Sequence, residues 1–375
     1  MALTLIGWCL HSIPEQSAPA RNEIAQKKCL RSDRSWSRPR ILIEAKLGFC
    51  HATPVRILAL AALPTAAATI ALADEPQGGG KAPPPLQALP LPHHQAAFER
   101  DGGELARYHF DPGDRRPFWY PIQGSAGRSL TRMGHPHDPI THSHHNSVWI
   151  SHHDVNGTDF WGDHGKGKGR IVHQRVLEYW DGEEAAGMRS LNHWITDGAA
   201  APLLEETRQS EVVAAPHGGW YLIIDLTLSP PEGAAPVTFN QTAFGLIGVR
   251  VAKSLGVHDG GGRIMNSEGA SGEKAIFRKP ARWVDYSGRI TKHSSAGITL
   301  MDHPDNPGFP SPFHVRGDGW MGICLSFDQA IEVTRTKPLI RRYALWVHDG
   351  IPDTAQATHA FEFFTKRRRR EATAR

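Results

Sequence analysis

The chain has 375 residues, enough for one large domain or two ordinary ones, and its 40% hydrophobic and 21% charged residues are those of a globular protein. The net charge of +4 comes from the first 54 residues, because residues 55–375 hold as many acidic as basic side chains. That balance excludes a broad basic surface for nucleic acid, and the 37 glycines and 28 prolines favour turn-linked strands over long helices.

In chain order, the first readable segment is VRILALAALPTAAATIALADEP at residues 55–76. It has the form of a secretory signal peptide. Arg56 gives the positive start, Ile57 to Ile70 the apolar stretch, and Ala71-Leu72-Ala73 an A-x-A cleavage site ahead of Asp74 and Glu75. The apolar run is short and interrupted by Pro64, which argues against a membrane span. A signal peptide belongs at the start of a protein. The expectation is therefore that residues 1–54 are an upstream extension, that translation begins at Val55, and that the protein is secreted or periplasmic. Cys9, Cys29 and Cys50 precede the cleavage site, so Cys324 alone remains and no internal disulfide can form. In WMGICLSF it reads as a small buried hydrophobe. Residues 74–92 read as a Gly/Pro linker.

Residues 93–366 read as one all-β domain. ELARYHF, PFWYPIQ, SHHNSVWISH, RIVHQRVLEYW, GMRSLNHWITD, LLEETRQSEVVA and GWYLIIDLTLSP follow one another, and LIRRYALWVHDG and THAFEFFTK close the series. Short β-branched and aromatic runs between turn residues predict a large two-sheet antiparallel sandwich. No helix longer than two turns is expected. Residues 367–375, which carry the arginines of the run KRRRR (Lys366–Arg370), read as a basic solvated tail.

The chemistry concentrates in two stretches. GHPHDPITHSHHNSVWISHHDVNGTDFWGDH, residues 134–164, holds eight histidines. Read as a strand, it puts His142, His144 and Asn146 on one face and His145, Ser147 and Trp149 on the other. The His-x-His spacings make His135, His137 and His142 candidate ligands of a divalent metal, Zn, Cu or Fe. Imidazoles titrating near neutrality also suit acid/base catalysis. The plainer alternative is a polar strand edge bonded to backbone and water. The second stretch is MDHPDNPGFPSPFHVRGDGW, residues 301–320. It carries Asp302, His303, Asp305, Asn306, His314, Arg316 and Asp318 on a segment stiffened by proline. Arg316 suits a carboxylate or a pair of sugar hydroxyls. The expectation is that the two stretches meet in one cleft. GGGRIMNSEG at residues 260–269 lacks the lysine and following helix of a phosphate loop and reads as a turn. Glu205 and Glu206 sit mid-strand, one facing each side.

These motifs, in this order, resemble the bacterial family catalogued as methane oxygenase PmoA-like, a domain of unknown function. The resemblance rests on PFWYPIQ, HPHDPITHSHHNSVWISHHDVNGTDFW, GRIMNSEG, ARWVDYSG, GITLMDHPDNPGFPSPFHVRGDGW and RYALWVHDG, spread over residues 107–365. His144 and His145 match the family's paired histidines, while the preceding positions depart. FNQTAFGLIGVRVA also departs, keeping Gly248 and Arg250. The name does not make this a methane monooxygenase subunit, because no membrane span follows Asp74. The resemblance implies a soluble β protein, commonly exported. More distantly the chain is similar to the galactose-mutarotase supersandwich. That likeness implies a carbohydrate-facing cleft with a histidine acid and a carboxylate or histidine base.

The leading expectation is thus a carbohydrate-active protein such as an epimerase, lyase or hydrolase, acting on a small-molecule or oligosaccharide substrate. His144, His145 and His314 would transfer protons, with Asp302 as a further catalytic residue. His303, Arg316, Trp149, Asn306 and Trp161 would bind substrate, and Trp283 and Trp320 lie beside the same motifs. Two alternatives stand beside it. One is a metal-dependent oxidoreductase or hydrolase built on His135, His137 and His142. The other is a non-catalytic sugar-binding module.

Overall fold

A computed structural model describes residues 82–216 and 218–371. The expected signal peptide, the segment before it and the first part of the expected linker lie outside the described residues. The strands run β1 (Leu86–Leu91), β2 (Gln95–Arg100), β3 (Gly103–His109), β4 (Phe118–Ile122), β5 (Val148–His152), β6 (Gly169–Trp180), β7 (Ala185–Thr196), β8 (Leu204–Ala214), β9 (Trp220–Ser229) and β10 (Val237–Phe239). They continue with β11 (Gly245–Arg250), β12 (Arg263–Asn266), β13 (Lys279–Pro280), β14 (Trp283–Arg289), β15 (Ser295–Asp302), β16 (Pro312–Arg316), β17 (Trp320–Cys324), β18 (Ile331–Val333) and β19 (Leu339–Asp349).

Two large sheets form an all-β sandwich. One has nine strands in the order β1-β2-β3-β4-β5-β11-β17-β16-β13, the other eight in the order β12-β14-β15-β19-β9-β8-β7-β6. Neighbours within each pair antiparallel. Alternation along the strands fills the space between them. Val148, Ile150, Ile247, Val249, Met321 and Ile323 come from the first sheet, and Leu222, Ile224, Ile298, Leu300, Leu345 and Val347 from the second, in one continuous apolar cluster. One ion pair sits in this core. Glu206 and Arg208 are both fully buried, and Glu206 accepts from Trp194 Nε1 at 2.6 Å and Asn192 Nδ2 at 3.2 Å. Glu206 therefore faces inward as a bonded structural group.

The chain end differs from the expectation. Residues 354–366, read as ending in a strand, form a helix (Thr354–Lys366). The Asp353 carboxylate accepts from Gln356 N at 2.8 Å, and the Gln356 side chain accepts from Asp353 N at 2.9 Å, closing a capping box. Ala357, Ala360, Phe361 and Phe364 then fall on one side and pack on Tyr221, Ile223, Met301, Trp283 and Trp346 of the eight-stranded sheet. The basic run after it is tied down: Arg367 pairs with Glu211, Arg369 with Asp225, and Arg370 with Glu178. Residues 86–91, inside the expected linker, form the edge strand β1. Among the described residues no helix is long and apolar enough to cross a membrane.

The sandwich therefore has two unlike outer faces. The helix covers that of the eight-stranded sheet. That of the nine-stranded sheet carries its own aromatic cluster of Phe118, Trp149, Trp161 and Trp320.

Candidate functional site

Alternation in the central strands of the nine-stranded sheet builds the site. In β5, β11, β16 and β17 the apolar residues Val148, Ile150, Ile247, Val249, Phe313, Val315, Met321 and Ile323 turn inward. Trp149, Gly248, Arg250, His314, Arg316, Trp320 and Gly322 are left on the outer face. Gly248 is required there. A Cβ at this position would lie 2.5 Å from the Trp149 indole, so only glycine lets the ring lie across the neighbouring strand.

The histidine stretch approaches this floor as a loop. Its extended strand begins only at Val148, because Ser147 takes a left-handed φ of 59° and interrupts the alternation. Arg116 fixes the loop from below. Fully buried, it donates to the carbonyl of His144 at 3.3 Å, Asn146 Oδ1 at 2.5 Å, the carbonyl of Trp161 at 2.9 Å and Asp163 Oδ1 at 2.8 Å. Asp159 holds the facing turn by accepting from Trp161 N at 2.7 Å and Gly162 N at 3.0 Å while pairing with Lys168.

His145 is thereby slotted against two indoles, stacked at 5.3 Å on Trp149 and 5.9 Å on Trp320. His144 meets it edge-on at 4.4 Å and lies 6.0 Å from Trp161. His314, arriving from β16, sits edge-on to Trp320 at 4.0 Å. His144, His145, Trp161, His314 and Trp320 border a cavity of about 930 Å³, with Phe244, Arg250, Arg278, Arg316 and Asp318 completing its walls. The structure thus brings His144, His145, His314, Arg316 and Trp161 to one cavity, with Trp149 directly beneath His145.

Asp302, His303 and Asn306 are elsewhere. Asp302 ends β15 in the opposite sheet and is fully buried. It accepts from His303 N at 3.1 Å, Asn306 Nδ2 at 2.6 Å and Ser311 N at 2.9 Å. Asn306 also bonds both ways with the Arg342 backbone, at 2.8 Å each. His303 packs on Phe364 of the helix and accepts from Asp305 N at 3.1 Å. None of the three borders the cavity. The stretch 301–320 is divided because the chain crosses from one sheet to the other between Asp302 and Pro312. Trp283 likewise lies under the helix.

His135, His137 and His142 do not form a ligand set. Each turns to a different carboxylate: His135 Nε2 to Asp318 at 3.4 Å, His137 Nε2 to Asp259 at 3.0 Å, and His142 Nδ1 to Asp138 at 3.0 Å. Among the described residues no group of three or more His, Cys, Asp or Glu side chains is arranged to hold a metal ion.

Electrostatics leave His144, His145 and His314 neutral, whereas the Asp159 carboxylate raises His153 at the cavity's edge. Burial, reinforced by the Arg116 charge, lowers His144 to about 4. Burial, then the neighbouring His144 ring and the Arg250 charge, hold His145 far below the ordinary histidine range. Burial brings His314 to about 4 against an opposing pull from the Ala243 carbonyl. The cavity's carboxylates are engaged in ion pairs, Asp159 with Lys168, Asp163 with Arg116 and Asp318 with Arg250. Burial pushes Asp318 up, but the Arg250 guanidinium outweighs it and the net shift is downward. At neutral pH these three imidazoles are therefore uncharged.

Arg116, Phe244 and Arg278 had no sequence signal, each standing as a single residue among ordinary neighbours. Arg250 was visible only through the family likeness. Fold and site define a two-sheet antiparallel sandwich protein with a histidine- and aromatic-lined cavity on one outer face. The chain belongs to the family of unknown function DUF6807, whose sequence profile matches residues 95–362. No curated protein matches it.

Proposed function

We propose that the chain is an exported carbohydrate-active protein, binding a sugar in this cavity and exchanging protons with it through His145 and His314. One observation carries the reading: two buried, neutral imidazoles are held against the same indole, Trp320, at the wall of an aromatic cavity. Indole and phenyl faces offer flat apolar area to the C–H faces of a sugar ring. A volume of about 930 Å³ is at the upper end for a small-ligand pocket. The more distant likeness to the mutarotase supersandwich supports the same substrate class by analogy.

The carboxylates narrow the chemistry. Glycoside hydrolysis commonly uses two of them, one free to donate a proton and one to attack or activate water. Here Asp159 pairs with Lys168, Asp163 with Arg116 and Asp318 with Arg250. Proton removal by imidazole, as in an epimerase or lyase, fits the arrangement better than paired-carboxylate hydrolysis.

Calorimetric titration of the protein with a panel of oligosaccharides, followed by product analysis, tests the reading. Binding that survives His145→Ala while turnover is lost supports it. Binding with no turnover by the wild type leaves a sugar-binding module, and no binding across the panel removes the carbohydrate assignment. Export is tested separately by N-terminal sequencing: a mature end near Asp74 supports it, and residues 1–54 in the product exclude it.

A further inference from the structure

We infer that the ligand of this cavity carries an oxyanion, and that it is a uronic acid or an oligosaccharide containing one. The inference rests on the carbohydrate reading of the same site and adds the charge of the sugar.

The starting point is Arg250. It is fully buried, borders the cavity, and gives only Nη1 to a partner, Asp318 Oδ1 at 2.9 Å. Its Nε and Nη2 have no acceptor. These two atoms form one edge of the planar guanidinium, the fork that matches both oxygens of a carboxylate. Buried charged donors are costly to leave unmatched, and native structures seldom leave such groups unpaired.

The surroundings repeat the pattern. Trp320 stands opposite Arg250 in the β11–β17 register. Its indole Nε1 is buried without an acceptor, as is that of Trp149 on the same face. An indole N–H can only donate, and so can a guanidinium. The unmatched groups whose role is fixed are therefore all donors. At the rim, Arg278 is exposed and makes no ion pair among the described residues. Its guanidinium rests over the Phe277 ring at 4.9 Å. It too borders the cavity. The acidic side chains of the cavity are already paired, so nothing in the wall supplies the missing acceptors.

A neutral sugar brings hydroxyls that donate as well as accept. A carboxylate brings only acceptors, in the plane the Arg250 edge presents, with a charge that Arg278 attracts from the rim.

The test is calorimetric titration of the full chain with an oligogalacturonate, the matching neutral galacto-oligosaccharide, and a sulfate ester of the neutral sugar. The acidic oligosaccharide is expected to bind at least about tenfold tighter than the neutral one, the scale of a charge-assisted hydrogen-bond pair. That margin is expected to shrink with added salt. Arg250→Lys, which keeps the charge and loses the fork, is expected to remove most of the margin. Arg278→Gln, on an exposed residue outside the packed floor, is expected to remove a smaller part and keeps the test valid if the Arg250 variant does not fold. Equal binding of acidic and neutral sugars overturns the inference and leaves the carbohydrate reading standing. Preference for the sulfate ester over the carboxylate overturns the uronate assignment. Failure of all three to bind overturns both readings.

Discussion

Residues 134–164 and 301–306 are both rich in histidine and acid, yet they end in opposite conditions. Around Asp302 the groups close on one another: the carboxylate accepts three hydrogen bonds, and Asn306 bonds to Arg342 in both directions. Around His145 they stay open. Its Nδ1, two nitrogens of Arg250 and the indole nitrogens of Trp149 and Trp320 have no partner, and a cavity adjoins them. The two are alike in composition and differ in satisfaction. A closed polar knot holds a loop in place. An open one next to a cavity is where a ligand completes the bonding.

The largest effect should come from the open cluster and appear in function. His145→Ala is expected to lower turnover of the bound sugar by about 10²–10⁴-fold, the usual share of a positioned general base. Its thermal midpoint should stay closer to wild type than that of any Asp302 variant. Steady-state rates and a melting curve on the same preparation check both. The next effect comes from the closed cluster and appears in stability. Asp302→Ala leaves three donors facing a hole and should cost about 3 kcal/mol, measured by urea unfolding. Sugar affinity of the fraction that remains folded should not change. Reversed outcomes, with His145→Ala mainly unstable and Asp302→Ala mainly inactive, would erase the distinction.

The sequence made some of this division visible. The all-β sandwich was legible because half-buried strands must alternate, and β6 to β9 keep long alternating or apolar runs. His144, His145 and His314 stood out by density and family likeness. What was hidden depended on the path of the chain. Asp302 and His314 are close in sequence, but β15 and β16 belong to different sheets, and no residue between them marks the crossing. The helix at Thr354–Lys366 was masked by its phenylalanines, since Phe361-Glu362-Phe363 imitates strand alternation. Its true period was carried by Ala357, Ala360, Phe361 and Phe364 and by the Asp353–Gln356 box. Arg250 was unremarkable as a residue of a strand, and its meaning came from two nitrogens without partners.

Acid separates the clusters further. His314 titrates near 4 when folded and near its ordinary 6.5 when unfolded. Between those values the unfolded chain binds the extra proton, so folded stability falls as pH drops through that window and levels off below it. This ring's share should be on the order of 3 kcal/mol. Urea unfolding at a series of pH values should show a shallower acid loss in His314→Gln than in wild type. Turnover by a neutral imidazole should likewise persist well below pH 6.5, with its acid limb nearer 4.

The smallest effect is the most discriminating for the comparison. His303 was grouped with His314 by sequence, and it is also buried with a lowered pKa, caused first by burial and then by the Arg342 charge. Yet its ring packs against Phe364, its Nδ1 accepts from the Asp305 amide, and it bonds the Thr365 backbone, all away from the cavity. His303→Ala therefore removes the bonds with the Asp305 amide and the Thr365 backbone and one edge contact while the Asp302 and Asn306 bonds persist. The cost should be about 1 kcal/mol, with sugar affinity and turnover at wild-type values. A loss of affinity in a variant that stays this stable would mean the two clusters communicate across the sandwich. In that event the closed knot would be part of the site, and its hydrogen bonds would have to be counted among the forces that shape the cavity.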